Sequence, residues 1–153
     1  MTIDRPKLLI IAGPNGSGKT SVTSKILEHQ WIEDCVYINP DKIDYIKRAK
    51  DAGYFIRLFF VGTDHPSINA SRIARRVMEG GHDVPISKII SRFNKSIANC
   101  SIIESLVDRL YVYDNSVEYG EPKLLFRAAN GKLEKIYTEI NPWAQSILKA
   151  LYS

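Results

Sequence analysis

Cysteine is scarce in this chain of 153 residues, with only Cys35 and Cys100, and the two stand in no metal-ligand spacing. That excludes a cysteine-rich zinc site and a disulfide framework. A lone disulfide stays open, and two reduced, buried thiols are the simpler reading. Long apolar runs are missing too, and none reaches the length of a membrane-spanning helix. Met1-Thr2-Ile3-Asp4-Arg5 has no signal-peptide profile, so the expected location is the cytoplasm, away from membranes. There is no internal repeat, low-complexity tract or linker, and the length suits one domain over 1–153. Positive charge is in small excess, +4 from 21 basic and 17 acidic residues. Such an excess suits a triphosphate clamp as well as a nucleic-acid binder, and decides neither. The share of hydrophobic residues, 44%, and of charged ones, 25%, is ordinary for a soluble globular protein.

What the chain does have is Gly13-Pro14-Asn15-Gly16-Ser17-Gly18-Lys19-Thr20, which fits the phosphate-loop pattern Gly-x-x-x-x-Gly-Lys-Ser/Thr at every fixed position. Its context gives the match weight. Lys7 to Ala12 is a short apolar run suited to a buried strand, and Lys19 to Gln30 has helical spacing. Strand, glycine loop and helix is the arrangement in which backbone N–H groups wrap a polyphosphate at a helix N-terminus. Glycine leaves no side chain between backbone and ligand and permits positive φ. Lys19 would reach the terminal phosphates and the Thr20 hydroxyl would hold Mg²⁺. The nucleotide-binding set is therefore Gly13 through Ser21, for ATP or GTP.

Further along, Cys35–Asn39 reads as a short strand, and Pro40 opens a helix through Ala52 that Gly53 stops. Phe55 to Val61 reads as a central strand. Thr63-Asp64-His65-Pro66 supplies a cap for a basic helix from Ser67 to Glu79. After Gly80–Pro85, a long helix runs from Ile86 to about Val107, with Ile86, Ile90, Phe93, Ile97 and Cys100 along one stripe. Leu110–Tyr113 is another strand. Lys123–Ala128 and Lys132–Tyr137 flank Asn130-Gly131, a hairpin signal of the positive-φ type. Asn141-Pro142-Trp143 precedes a short terminal helix. The pattern predicts an α/β phosphate-loop NTPase fold of three layers, shortened, with a mainly parallel sheet and a C-terminal β-hairpin. Ligand is expected at the C-terminal strand edge.

Phosphoryl transfer needs positioned charge more than covalent chemistry. Asp41, just past the Val36–Asn39 strand, is either a hydroxyl base and metal-site ligand or a dipole-stabilised helix N-terminal residue. Arg72 shares a helix face with Arg75 and Arg76, and Lys88, Arg92 and Lys95 share a face of the next helix. These basic faces flank the glycine loop as in a lid that closes on phosphates; solvated surface charge is the plainer alternative. Arg75, Arg76 and Arg92 are the lid candidates. His82 is a substrate contact or a turn residue. Asp114 and Asn115 either serve the nucleotide site at a strand end or form a turn. Trp31 and Trp143 read as packing residues.

Four stretches together resemble the zeta-toxin family of phosphate-loop kinases. They are the loop Gly13–Thr20, Ile38-Asn39-Pro40-Asp41, the run Arg75 to Pro85 with its Gly-Gly-His-x-Val-Pro, and Tyr113-Asp114-Asn115-Ser116. The likeness runs from about Leu8 to Leu148. It implies ATP- or GTP-dependent, Mg²⁺-assisted phosphorylation of a nucleotide sugar of the UDP-N-acetylglucosamine class. It also implies Asp41 as the base, Lys19 on the phosphates, lid arginines among Arg75, Arg76 and Arg92, and a small antitoxin as partner. The chain departs from the family after Asp41, where a further strand ending in a Phe-Glu-Thr-like motif is expected. Here Lys42-Ile43-Asp44-Tyr45-Ile46-Lys47-Arg48 follows at once. Either the Cys35–Asn39 strand takes the vacant place beside the phosphate-loop strand, or that strand keeps an exposed edge. Either way one acceptor wall and a carboxylate are absent, and turnover is expected to be weak or lost.

Other classes fit less well. A transporter or repair ATPase needs a signature loop and an apolar strand ending in Asp-Glu, and neither is present. A nucleic-acid binder would interleave aromatics with its basic faces, whereas Lys88, Arg92 and Lys95 stand beside Ser, Asn and Ile. A non-catalytic remnant that binds nucleotide or antitoxin stays open.

Overall fold

A computed structural model of the chain describes residues 5–14, 16–19, 35–38, 43–81, 83–117 and 120–151, with 35–38 described by backbone alone. The strands are β1 (Lys7–Ala12), β2 (Cys35–Ile38), β3 (Phe55–Gly62), β4 (Arg109–Asp114), β5 (Lys123–Ala129) and β6 (Lys132–Ile136). The helices are α1 (Ile43–Asp51), α2 (Pro66–Met78), α3 (Ile86–Ile103) and α4 (Gln145–Ala150), the last entered through one tight turn at Pro142–Ala144. One sheet runs in the order β2-β1-β3-β4-β5-β6. Its first four strands are parallel and the C-terminal hairpin adds two antiparallel ones. This is the mainly parallel α/β sheet that the pattern predicts.

Strands buried on both faces need apolar residues at every position, which is why β1 and β3 read as near-continuous hydrophobic runs. Leu8 and Ile10 of β1 join Leu58 and Phe60 of β3 in a core with Ile46 of α1, Cys100 and Ile103 of α3, and Ile147 of α4. Leu9, Ile11, Phe59 and Val61 form a second buried cluster on the opposite face. Tyr111 stacks on Phe59 there at 4.7 Å between ring centroids. The helix expected over residues 19–30, together with Trp31, lies outside the described residues. At the far edge β6 carries Lys132, Glu134 and Lys135, charges that suit a strand with a solvent-facing rim.

β2 settles the alternative left by the sequence. It lies parallel beside β1, from Lys7 opposite Cys35 to Ile10 opposite Ile38. The phosphate-loop strand is therefore an interior strand, flanked by β2 and β3.

Within the predicted Thr63–Pro66 cap segment, His65 is the cap of α2: its ring Nδ1 accepts from the Ser67 backbone N–H, and Pro66 opens the helix. Thr63 instead donates its hydroxyl to the buried Asn69 side chain. The long helix ends at Ile103 rather than near Val107. Asp108 is drawn into the sheet, its carboxylate accepting from the Ile56 N–H (2.7 Å) while its own N–H donates to the Ile56 carbonyl (3.0 Å). The apolar stripe of α3 shifts as well: Ile89, Phe93, Cys100 and Ile103 are buried, while Ile86 and Ile90 stay 69% and 46% exposed. Ile86 shares the inward face at 3.6 residues per turn, but it sits in a first turn that nothing described covers. Asn130 (φ 52°) and Gly131 (φ 79°) form the predicted hairpin turn.

Candidate phosphate-binding site

The loop leaves the C-terminal end of β1 and packs tightly on its neighbours. Gly16 and Gly18 adopt φ of 80° and 94°, the left-handed region that favours glycine. Space enforces the same choice. A Cβ on Gly16 would sit 2.5 Å from the Asn69 carbonyl oxygen, and one on Gly18 would sit 1.9 Å from the Asn115 Nδ2. Asn15, Thr20 and Ser21 of the predicted set lie outside the described residues, as do Asp41 and His82.

Two side chains hold the loop from beneath. The Arg72 guanidinium, half-buried on α2, donates to the carbonyls of Gly16 (3.1 Å) and Ser17 (3.4 Å) and to that of Asn115 (2.6 Å). Asn115 itself donates its amide to the Ser17 carbonyl at 3.0 Å, and its backbone N–H closes onto Gly62 at 2.9 Å. A planar trans peptide directs its N–H opposite to its C=O. With the Ser17 carbonyl turned down onto Arg72 and Asn115, the Gly18 N–H is turned away from them. The Arg72 pKa is lowered, first by burial and then by repulsion from Arg75 and Arg76, with Asp114 opposing. Cations that repel one another beside a glycine loop create a potential that an anion would relieve.

Of the two residues at the end of β4, Asn115 therefore belongs to the loop's support. Asp114 is occupied elsewhere: its carboxylate accepts from the Trp143 indole N–H (2.8 Å) and from the Ser116 hydroxyl (2.6 Å). Trp143 is the packing residue foreseen, buried against Phe60 and over Gly62.

Beside the loop lies a cavity of about 340 Å³. Ile10, Leu58, Phe60 and Ile46 are among its apolar lining, and Lys19, Arg92 and Lys95 bring cations to it from the loop and from α3. The structure thus brings Lys19 and Arg92 to one space. Arg75 and Arg76 follow Arg72 on the last turns of α2, half-buried and exposed respectively, and neither lines this cavity. Sequence reasoning grouped Arg72 with them by helical spacing; it had no signal for which of the three turns under the loop.

The residues present suit a polyphosphate. The backbone approaches where a Cβ would clash, the Ser17 hydroxyl oxygen is buried with no hydrogen-bond partner among the described residues, and the surrounding charge is positive. The proposed Mg²⁺ donors, Thr20 and Asp41, lie outside the described residues. Among the described residues no group of three or more His, Cys, Asp or Glu is placed to hold a metal, and no helix is long and apolar enough to cross a membrane.

Comparison with known proteins agrees with this geometry. The fold is a phosphate-loop α/β fold, similar to one in the crystal structure of AvrRxo1-ORF1:AvrRxo1-ORF2 with sulphate ions. That similarity has a TM-score of 0.55 at 14% identity, covering 96% of this chain and 64% of that one. This chain therefore spans 64% of the length of the matched chain. Residues 1–45 match the family model described as Zeta toxin, a stretch that holds the whole glycine loop, β1 and β2. No curated protein matches the sequence. The resemblance to the zeta-toxin family is borne out on the loop-bearing end of the chain.

Proposed function

We propose that this chain binds Mg²⁺ with ATP or GTP over the loop Gly13–Ser21 and transfers the terminal phosphoryl group to an acceptor in the adjoining cavity. The acceptor is a nucleotide sugar of the UDP-N-acetylglucosamine class, and the protein acts in the cytoplasm as a toxin held in check by a small antitoxin. The observation that carries this reading is a glycine loop seated on Arg72 and Asn115 and opening onto a cavity shared by Lys19 and Arg92. The family match over residues 1–45 supports the toxin class.

The roles follow from charge. Lys19 neutralises the terminal phosphates, and Arg92 faces them from α3. Arg75 and Arg76 supply further cations from α2, and Asp41 takes the acceptor's proton. Thr20 and Asp41 would hold Mg²⁺, which when bound would neutralise charge on the phosphate oxygens.

A second reading, a remnant that binds nucleotide or antitoxin without turnover, has its own support. No carboxylate lines the cavity among the described residues. Incubation with labelled ATP and a panel of UDP-sugars separates the two, with Lys19→Ala and Asp41→Asn as controls. Label on a sugar with unmutated protein alone favours the kinase. Nucleotide binding without any transfer favours the remnant, and no binding of either triphosphate sinks both.

A further inference from the structure

We propose that Arg72 is a positioning residue for nucleotide binding, a cationic staple that fixes the phosphate loop in its anion-accepting shape. The inference rests on the functional reading above and adds a residue that touches no phosphate in it.

The glycines of the phosphate loop have no side chains to hold their peptide planes, and their freedom in φ makes many arrangements accessible. An anion cradle needs consecutive N–H groups turned one way, so the intervening carbonyls must be held the other way. Water alone would leave those carbonyls free to rotate. Here the Gly16 and Ser17 carbonyls both meet one guanidinium, at 3.1 and 3.4 Å, and the same group grips the Asn115 carbonyl at 2.6 Å. Asn115 in turn holds the Ser17 carbonyl from the other side. The loop is thereby pinned to α2 and to the end of β4 at once.

Only arginine suits this place. A guanidinium is a rigid planar fork with five N–H donors, able to address three carbonyls in fixed directions, whereas a lysine ammonium is a point charge on a flexible stem. Hydrogen bonds from a charged donor are also stronger than neutral ones. The positive charge adds to the field over the loop without standing between backbone and ligand. Arg75 and Arg76, one turn on, raise the same field, so α2 both shapes the loop and charges its surroundings.

Three measurements test the proposal: amide hydrogen exchange of the loop peptide in the nucleotide-free protein, the affinity for Mg²⁺–ATP, and rescue by free guanidinium ion. In Arg72→Ala, exchange over Gly16–Lys19 should quicken at least tenfold while the strands keep their protection. Affinity should fall by about 30-fold, the scale of losing charged hydrogen bonds. Guanidinium ion at low millimolar concentration should restore much of both in this variant and change nothing in wild type. Arg72→Lys keeps the stem and charge, guards against simple misfolding, and should remain impaired. Exchange unchanged in both variants, or affinity within twofold of wild type, overturns the proposal. A wild-type protein that binds no nucleotide defeats the functional reading instead, and the exchange comparison still decides whether Arg72 holds the loop.

Discussion

Glu104 offers a test of the fold that needs no ligand. It follows the last turn of α3, with its N–H on the Cys100 carbonyl. The residue is only 4% exposed, and Oε2 has no hydrogen-bond partner among the described residues. Burial without a partner disfavours the charged form, and the carboxyl is pushed up to about 8 from an ordinary 4.5. Cys100, one turn before it, is raised by burial first and by Glu104 second.

The sign follows from proton counting. Below pH 4.5 the carboxyl is protonated whether the chain is folded or not, and pH has no purchase on stability through this group. Between 4.5 and 8 the unfolded chain releases the proton and the folded one keeps it. Stability therefore falls as pH rises, by about 1.4 kcal/mol per pH unit. The decline ends once the folded carboxyl also ionises, and its full extent is at most about 5 kcal/mol. Glu104→Gln keeps the shape and has no proton to lose. Urea unfolding of both proteins at several pH values from about 5 to 8 should show the variant gaining on wild type steadily across that window. The gap at any single pH includes a constant amide term, so the slope is the test. Parallel stability profiles for the two proteins would refute the reasoning.

Two further substitutions probe close contacts. Gly18→Ala places a methyl 1.9 Å from the Asn115 amide at a φ of 94°; calorimetry should show Mg²⁺–ATP affinity at least about tenfold weaker, from αL strain and the broken loop contact together. Gly62→Ala places a methyl 2.4 Å from the Trp143 ring; urea unfolding followed by tryptophan fluorescence should show a loss of about 1–3 kcal/mol, the usual cost of overpacking. An unchanged unfolding midpoint would mean that the indole has room to move.

Much of the architecture was legible because local chemistry and global placement agree. The apolar runs of β1 and β3, the Asn130-Gly131 turn and the Gly53 stop each have one physical solution, and the chain adopts it. The misses come from contacts between distant residues. The end of α3 is set by Asp108 bonding to Ile56, across 52 positions, and no helical periodicity carries that. In the same way Arg72, Arg75 and Arg76 look alike along the sequence. Only the docking of α2 beneath Gly16 singles out Arg72. Asp114 and Asn115 likewise share one turn-like signature, yet the first is taken by Trp143 and the second by the loop.

The contacts that support the loop also bear on the internal shortening implied by the zeta-toxin resemblance. Arg72, Asn69 and Asn115 lie on α2 and after β4, well beyond a junction at Pro40–Ile43. A loss at that junction therefore removes none of these supports. β2 lies beside β1, so the strand that carries the loop also keeps its neighbour. The cavity is placed differently: Ile43 and Ile46 line it, and they open the helix that follows the junction directly. Under the proposed function, shortening would act on the acceptor wall and spare the triphosphate cradle. Nucleotide affinity and acceptor turnover would then be separable, the first surviving changes that weaken the second.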